Sequence, residues 1–229
     1  MTAFVLGATG FVGREVVRQL CVRGAKVIAH VRPDSSSLEK SRVMFTAFGA
    51  ATDTTPWDAS ELAARFRETT PAQVYILIGT TRHAAKRDRI EGDIYEQVDL
   101  GLTRIAVEAA RASEVRPRIV YLSSVGADKG ARSAYLKARG HAEDVVRTSG
   151  LPWVIARPSF ITGDRDESRL GERGAAIVGD GLLAVARVFG GTKVRDKYRS
   201  TTPDVLASAL IRFGEATNHD VIAEGGDLR

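Results

Sequence analysis

The chain has 229 residues, enough to bury a substantial core as one domain, and its apolar (44%) and charged (27%) fractions are those of an ordinary soluble globular protein. A single cysteine, Cys21, excludes an internal disulfide and a thiolate metal cluster. The net charge of +5 includes a partial basic cluster at Arg82, Lys86, Arg87 and Arg89, but Asp88, Glu91 and Asp93 break it and no nucleic-acid motif accompanies it, so a solvated face or a weak field toward an anion is the expected role.

In chain order, Phe4-Val5-Leu6 is an apolar strand that runs into Gly7-Ala8-Thr9-Gly10-Phe11-Val12-Gly13. Three glycines at three-residue spacing have separate uses: a tight turn, backbone approach to a pyrophosphate, and close packing of helix on strand. The helix that follows, Val12 to Arg23, offers its N-terminal amides to an anion, which points to a dinucleotide held by Gly7, Thr9, Gly10, Phe11, Val12 and Gly13. Cys21 falls in the pattern Val12, Val16, Val17, Leu20 and reads as a buried, inert thiol. Ala25 to Val31 is the second strand and Val43 to Phe48 a weaker third, followed by a helix near Ser60 to Glu68. Gln73 to Ile78 is a buried fourth strand, Asp99 to Ser113 a helix, Arg118 to Leu122 a fifth strand, Ala134 to Thr148 a helix and Trp153 to Ala156 a sixth strand. The alternation predicts an α/β fold, a doubly wound parallel sheet of the Rossmann type. Beyond Arg157-Pro158 the pattern loosens through a charged stretch (Asp164 to Gly174) and an apolar one (Ala175 to Phe189). A helix from about Asp204 to Phe213, with Pro203 in its first turn, follows. The whole chain is expected to be one domain, with about 158–229 contributing a small substrate-side cover.

The second strand ends in His30-Val31-Arg32-Pro33 with no carboxylate at its tip, where an acidic residue would grip the ribose of NAD. Arg32 with Ser35, Ser36 and Ser37 forms a cradle for a 2′-phosphate, a charge-assisted contact of roughly 1.5–3 kcal/mol. NADP(H) is therefore the expected cofactor, although Asp34 is placed to approach the ribose instead. By topology, Gly79, Thr80 and Thr81 meet the ribose region, and Pro158, Ser159, Phe160 and Ile161 flank the nicotinamide. Asp53 and Thr54 follow the third strand toward the adenine, where loop polarity explains them equally well. His30, His83, His141 and His219 lack ligand spacing, so no metal is expected. With no basic-then-apolar leader and no apolar run long enough for a bilayer, the chain reads as cytoplasmic, with no membrane or nucleic-acid partner. Its oligomeric state is not legible.

Three further segments, Ile78-Gly79-Thr80-Thr81-Arg82, Leu122-Ser123-Ser124-Val125-Gly126-Ala127-Asp128 and Tyr135-Leu136-Lys137-Ala138-Arg139-Gly140, join Arg157-Pro158 and Gly163-Asp164-Arg165-Asp166-Glu167-Ser168-Arg169. With them the chain resembles the atypical short-chain dehydrogenase/reductases. Within these it is similar to the small NmrA-like oxidoreductases related to the human Tat-interacting protein. The resemblance spans nearly the whole chain and implies an oxidoreductase acting on a small carbonyl or hydroxyl substrate. It assigns Ser124 and Tyr135 as the catalytic pair and places Ser123, Tyr135 and Arg139 at the cofactor. A cation four residues after the tyrosine lies on the same helical face, where it can support the phenol and hold the ribose.

The family's residue at that position is lysine; here it is Arg139. Arginine keeps the charge but cannot release its proton, and Lys137 projects from another face. Three accounts stay open: Arg139 supports altered reduction, another proton route operates, or catalysis is lost and cofactor binding kept. The alternative to an oxidoreductase is thus a non-catalytic NADP(H)-binding redox sensor or regulatory interaction protein. A sugar-nucleotide epimerase fits less well, because the tail is short for a sugar-nucleotide lobe. Arg165 and Arg169 face either an anionic substrate or the acidic residues of their own loop.

Overall fold

The computed structural model describes residues 1–80, 92–159, 161–162 and 201–229. Its centre is one sheet of seven strands in the order β3-β2-β1-β4-β5-β6-β7. The strands are β1 (Thr2–Leu6), β2 (Lys26–His30), β3 (Ala51–Asp53), β4 (Gln73–Ile76), β5 (Arg118–Leu122), β6 (Trp153–Arg157) and β7 (Val221–Glu224). Every neighbouring pair is parallel, as the alternating pattern predicts. The central strands are buried along almost their whole length, which is why they read as continuous apolar runs rather than as alternating ones.

Helices cover both faces. On one, α1 (Phe11–Val22) packs against α2 (Leu38–Phe48) and against α6 (Pro203–Glu215). On the other, α3 (Ala59–Thr69), α4 (Leu102–Ala112) and α5 (Ala134–Arg147) lie side by side. The core is accordingly split by the sheet. Val16, Val17, Leu20, Phe45, Leu206 and Leu210 fill one half, and Phe4, Leu62, Phe66, Ile76, Val107 and Ile155 fill the other. Phe4 and Phe66 meet edge to face at 5.0 Å.

Four sequence expectations need correction. Val43 to Phe48 is not a strand but the second half of α2. Ser41 and Phe45 face the core at helical spacing while Val43 is 71% exposed, so the β-branched residue carries no burial signal. The third strand is the shorter Ala51–Asp53, after Gly49 ends the helix at φ +88°. The helix expected from Asp99 begins earlier, as a π-helical turn over Tyr95–Gly101 that runs into α4. Finally, a seventh strand, β7, follows α6 where the sequence pattern shows none. Leu206, Leu210 and Ile211 of α6 are fully buried, and β7 adds the last strand, so 203–224 belong to the sheet and one of its helical layers. The charged and apolar stretches from 163 to 200 lie outside the described residues.

The order of strands reverses at β1 and β4, which opens a crevice at their carboxyl ends. The glycine turn fills its floor. Gly7 has φ +82°, and a Cβ there would stand 2.6 Å from the carbonyl oxygen of Leu77, just beyond β4. A Cβ on Gly13 would overlap the carbonyl oxygen of Gly7. Gly13→Ala should therefore lift α1 off the turn and destabilise the protein by about 1–3 kcal/mol, read as a lowered urea midpoint.

Candidate functional site

The glycine turn presents backbone. Thr9 and Gly10 are exposed, while Val12 sends its side chain into the core. Gly10 is the N-cap of α1 and supplies no side-chain cap, and the first turn holds no acidic residue. Its own N–H donates to Gly7 O at 3.0 Å, which closes the turn. An uncapped helix start beside close-packed glycines is a fitting seat for a pyrophosphate: side chains would fill the place where the phosphates approach.

Beyond β2, Arg32 is 39% exposed and stands 3.9 Å from Asp34, itself 75% exposed. At that distance and exposure the pair is screened by solvent. The carbonyl of Arg32 accepts from the N–H of Ser35, and the hydroxyls of Ser35 and Ser37 are 3.1 Å apart. The next loop is more rigid. Asp53 is buried, bonded to Arg65 Nε at 2.5 Å and to the N–H of Thr55 at 3.0 Å, so its carboxylate is committed to the fold. His30 donates from Nε2 to Thr55 O at 2.7 Å and meets the ring of Trp57 at 4.9 Å.

The opposite wall of the crevice holds the expected catalytic group. Arg139 is 5% exposed and turns its guanidinium under the ends of β4 and β5. Nη1 donates to Leu122 O at 2.7 Å and to the Tyr121 hydroxyl at 3.2 Å, and Nη2 donates to Ile78 O at 3.0 Å. Nη2 also lies 2.8 Å from Asp99 Oδ1. That contact is an ion pair by distance but not an aligned hydrogen bond, since Asp99 Oδ1 and Arg139 Nε are both buried without a hydrogen-bond partner. Asp99 is completely buried, and its Oδ2 accepts from the N–H of Thr80 at 3.2 Å. The guanidinium carbon is 5.3 Å from the Tyr135 ring and 5.8 Å from that of Tyr121. Tyr135 is half-buried and meets Tyr95 at 5.4 Å, near edge to face.

Burial pushes the Asp99 carboxyl up, against the pull of the Arg139 charge and the Thr80 N–H. Burial works against the Arg139 charge as well, but the facing Tyr121, Tyr135 and Asp99 outweigh it and hold the guanidinium above its ordinary range. The two directions disagree about what the pair gains. They are reconciled by chemistry: arginine does not give up its proton, so Asp99 is the member that titrates. Burial likewise pushes Tyr121 up.

Ser124 is half-buried, with its hydroxyl 3.4 Å from the carbonyl oxygen of Val125, a long contact. Gly140 lets α5 approach the loop after β5, because a Cβ there would overlap Asp128. Ser123, expected at the cofactor, is buried and donates to Glu143 Oε1 at 2.6 Å. Glu143 is gripped by Arg157 (Nε to Oε1, 2.8 Å; Nη2 to Oε2, 2.5 Å), and Arg157 reaches Glu224 at 3.0 Å. The hydroxyl of Ser123 is thus part of a network that ties α5, β6 and β7 together. Pro158 is buried and accepts from the N–H of Val125, while Ser159 and Ile161 are half-buried at the same end of the sheet. Thr81, the basic cluster, Phe160, Arg165 and Arg169 fall outside the described residues.

The structure therefore brings Gly79, Thr80, Tyr135 and Arg139 together, with the glycine turn on the other side of β4. It keeps Arg32 and Ser35 at the far end, beyond β2. Sequence reasoning missed Asp99, Tyr95, Tyr121 and Glu143. A signal for Asp99 exists: with Thr103, Ala106 and Ala110 it occupies the buried stripe of one helix, and a carboxylate there needs a cation.

A family described as NAD(P)H-binding matches residues 7–187. The chain belongs to this NAD(P)H-binding family. "Protein fmp52, mitochondrial" of Emericella nidulans is 30% identical over 230 residues, covering 96% of this chain and 90% of that protein. Its Aspergillus clavatus namesake is 32% identical over 227 residues, covering 96% and 89%. Among solved structures, the enzyme WbmH of Bordetella bronchiseptica in complex with NAD+ superposes with a TM-score of 0.66 at 16% identity, covering 96% of this chain and 74% of that one. The Thermus thermophilus UDP-glucose 4-epimerase complex with NAD gives 0.68 at 20% identity, covering 99% and 78%. These likenesses bear out the fold and the resemblance to the short-chain dehydrogenase/reductases, and a nicotinamide dinucleotide is the cofactor class. The cytoplasmic expectation is corrected: the matching relatives are named as mitochondrial proteins. Among the described residues no helix is long and apolar enough to cross a membrane.

His30 gives this end of the sheet a pH dependence. Burial pushes its imidazole below the ordinary value of 6.5, against the smaller pull of the Thr55 carbonyl and Asp53. Above that value both folded and unfolded chains hold it neutral. Below it the unfolded chain takes up a proton that the folded one refuses, so stability falls with pH. Stability should therefore be lower at pH 5.5 than at pH 7.5, and His30→Gln should shrink that difference in urea titrations at the two pH values.

Proposed function

We propose that this protein is an NADP(H)-dependent oxidoreductase acting on a small carbonyl or hydroxyl compound, with the whole chain one functional unit. The observation that carries this reading is the end of β4. The carbonyl of Leu77 closes on Gly7 and the next carbonyl, of Ile78, takes the Arg139 guanidinium, so the pyrophosphate seat and the Tyr135 side share one wall.

The nicotinamide ring, when bound, supplies or accepts hydride. In reduction Tyr135 would give its phenolic proton to the substrate oxygen and regain one from solvent; in oxidation the deprotonated phenol would take the proton of the substrate hydroxyl and pass it to solvent. Ser124 donates a hydrogen bond to the same oxygen and favours the developing negative charge there. Arg139 holds a permanent positive charge beside the Tyr135 ring without relaying a proton. Gly7, Thr9, Gly10, Phe11, Val12 and Gly13 hold the pyrophosphate chiefly through backbone amides, and Gly79, Thr80, Ser159 and Ile161 frame the rest of the cofactor. Tyr135→Phe should lower NADPH oxidation at least a hundredfold on whichever aldehyde, ketone or quinone the wild type reduces, with little change in NADPH affinity. Unchanged turnover in this variant would refute the assignment.

Cofactor choice rests on Arg32. Its part-exposed guanidinium follows β2 where an acidic residue would grip the ribose of NAD, and the hydroxyls of Ser35 and Ser37 in the same loop suit a 2′-phosphate. Arg32→Ala should weaken NADPH binding about ten- to a hundredfold while leaving NADH within a factor of three, measured by calorimetry.

A second reading, a non-catalytic NADP(H)-binding sensor, is favoured by one observation: the terminal nitrogens of Arg139 are already engaged by protein groups. Tight NADPH binding without turnover in both wild type and Arg139→Lys would select it.

A further inference from the structure

The structure assigns to Asp99 the role of a positioning residue that acts through Arg139 and sets where its charge stands beneath Tyr135. The inference rests on the reading of Tyr135 as the acid/base group, but its geometry stands independently. Four observations meet at this point. Asp99 is the only completely buried carboxylate among the described residues. It sits in a π-helical turn that runs into α4 and places the carboxylate on the buried stripe continued by Thr103, Ala106 and Ala110. Its two oxygens divide between the arms of the site, Oδ1 at Arg139 Nη2 and Oδ2 at the Thr80 N–H. And Gly79 leaves the room: a Cβ there would stand 2.6 Å from Nη2 and 3.8 Å from Asp99 Oδ1.

The consequence is a division of labour that a lysine could not perform. A guanidinium fork bonds two strand-end carbonyls and a phenol at once, while the carboxylate balances its charge from the far side. Nη1 and Nη2 are both engaged by protein groups, Nη2 in part through the charge of Asp99, while Nε is buried without a hydrogen-bond partner. Arg139 therefore acts on Tyr135 by the position of its charge rather than by reaching out to the cofactor with its terminal nitrogens. Asp99 and the bare Cα of Gly79 fix that position. Removing the carboxylate leaves a buried cation held only by neutral dipoles. Adding a methyl at residue 79 keeps both charges but pushes the fork aside.

The test combines fluorine NMR of protein labelled with 3-fluorotyrosine and NADPH titration by nucleotide fluorescence, on wild type, Asp99→Asn and Gly79→Ala. Tyr135→Phe assigns the Tyr135 resonance. The expected result is a displaced Tyr135 resonance in both variants, with the NADPH dissociation constant of Asp99→Asn within threefold of wild type. A Tyr135 resonance that stays in place in Gly79→Ala overturns the proposal, and this variant alone decides should Asp99→Asn not fold. A tenfold or greater loss of NADPH affinity in folded Asp99→Asn with Tyr135 unmoved also overturns it, because Asp99 would then act on the cofactor without Arg139. Wild-type protein that binds no NADPH refutes the proposed function instead, and the spectra still decide the role of Asp99.

Discussion

The constraint on which the site depends is the way the chain leaves β4. Four residues, Leu77 to Thr80, carry both halves of the crevice. The Leu77 carbonyl is the surface against which the glycine turn closes, and the Ile78 carbonyl receives Arg139. Gly79 leaves room for the guanidinium, and the Thr80 N–H reaches Asp99. Each contact restricts a different element: β1 and α1 through Gly7, α5 through Arg139, the π-helical turn through Asp99. A small shift of this segment would move the phosphate seat and the Tyr135 side together. The switch point of a doubly wound sheet is usually described as a gap between diverging connections. Here it is better described as one strand end with obligations on both sides.

Buried charge is the second organising feature. Two arginines on the carboxyl-end side of the sheet are enclosed by carboxylates and carbonyls: Arg139 by Asp99 and two strand ends, Arg157 by Glu143 and Glu224. Buried ion pairs rarely gain much net stability, since desolvation offsets most of the attraction, but they are costly to break from one side only. Their physical effect is therefore to fix geometry. The Arg157 group joins α5 to β6 and β7 at one edge of the sheet, and the Arg139 group joins α5 to the ends of β4 and β5. Helix α5, which carries Tyr135, is thus held at both levels by bonds that exist in one arrangement only. Hydrogen bonds that Arg157 donates to Glu143 first, then to Glu224, hold it above its ordinary range, so its guanidinium keeps its charge at any physiological pH.

What was legible in the sequence follows from which forces are local. The glycines could be read because a turn that tight, with helix packed on strand, excludes a Cβ at fixed positions. The central strands could be read because burial on both faces leaves an unbroken apolar run. Val43 to Phe48 misled because β-branched and aromatic residues there belong to an amphipathic helix whose exposed face happens to hold Val43. Strand β7 was missed because a four-residue edge strand, half-buried, carries almost no pattern of its own; pairing with β6 makes it a strand. At the site, Tyr135 and Arg139 were legible as neighbours on one helical face. Asp99 showed only as a carboxylate on a buried helical stripe, because the cation that partners it lies on a different helix that no local pattern links to it. For the adjacent serines after β5, only the fold shows which hydroxyl Glu143 takes, that of Ser123.

Arg139 is best understood as a consequence of that same packing. A lysine at this position would place one ammonium at the end of a flexible stem, with three donors radiating from a point. Four groups lie around the observed guanidinium, the carbonyls of Ile78 and Leu122, the Tyr121 hydroxyl and the Asp99 carboxylate, one more than the three donors of an ammonium can serve. Replacing the fork by a point charge would leave strand-end carbonyls and a buried carboxylate under-satisfied, each at roughly 1–3 kcal/mol. The surroundings are thus built for arginine, and Asp99 supplies the charge balance that makes a fully enclosed guanidinium tolerable. The departure from lysine is not an isolated substitution in an otherwise ordinary site. It is one half of a matched pair whose other half lies in a different helix, and the chemistry at Tyr135 takes place against a charge that position, rather than titration, controls.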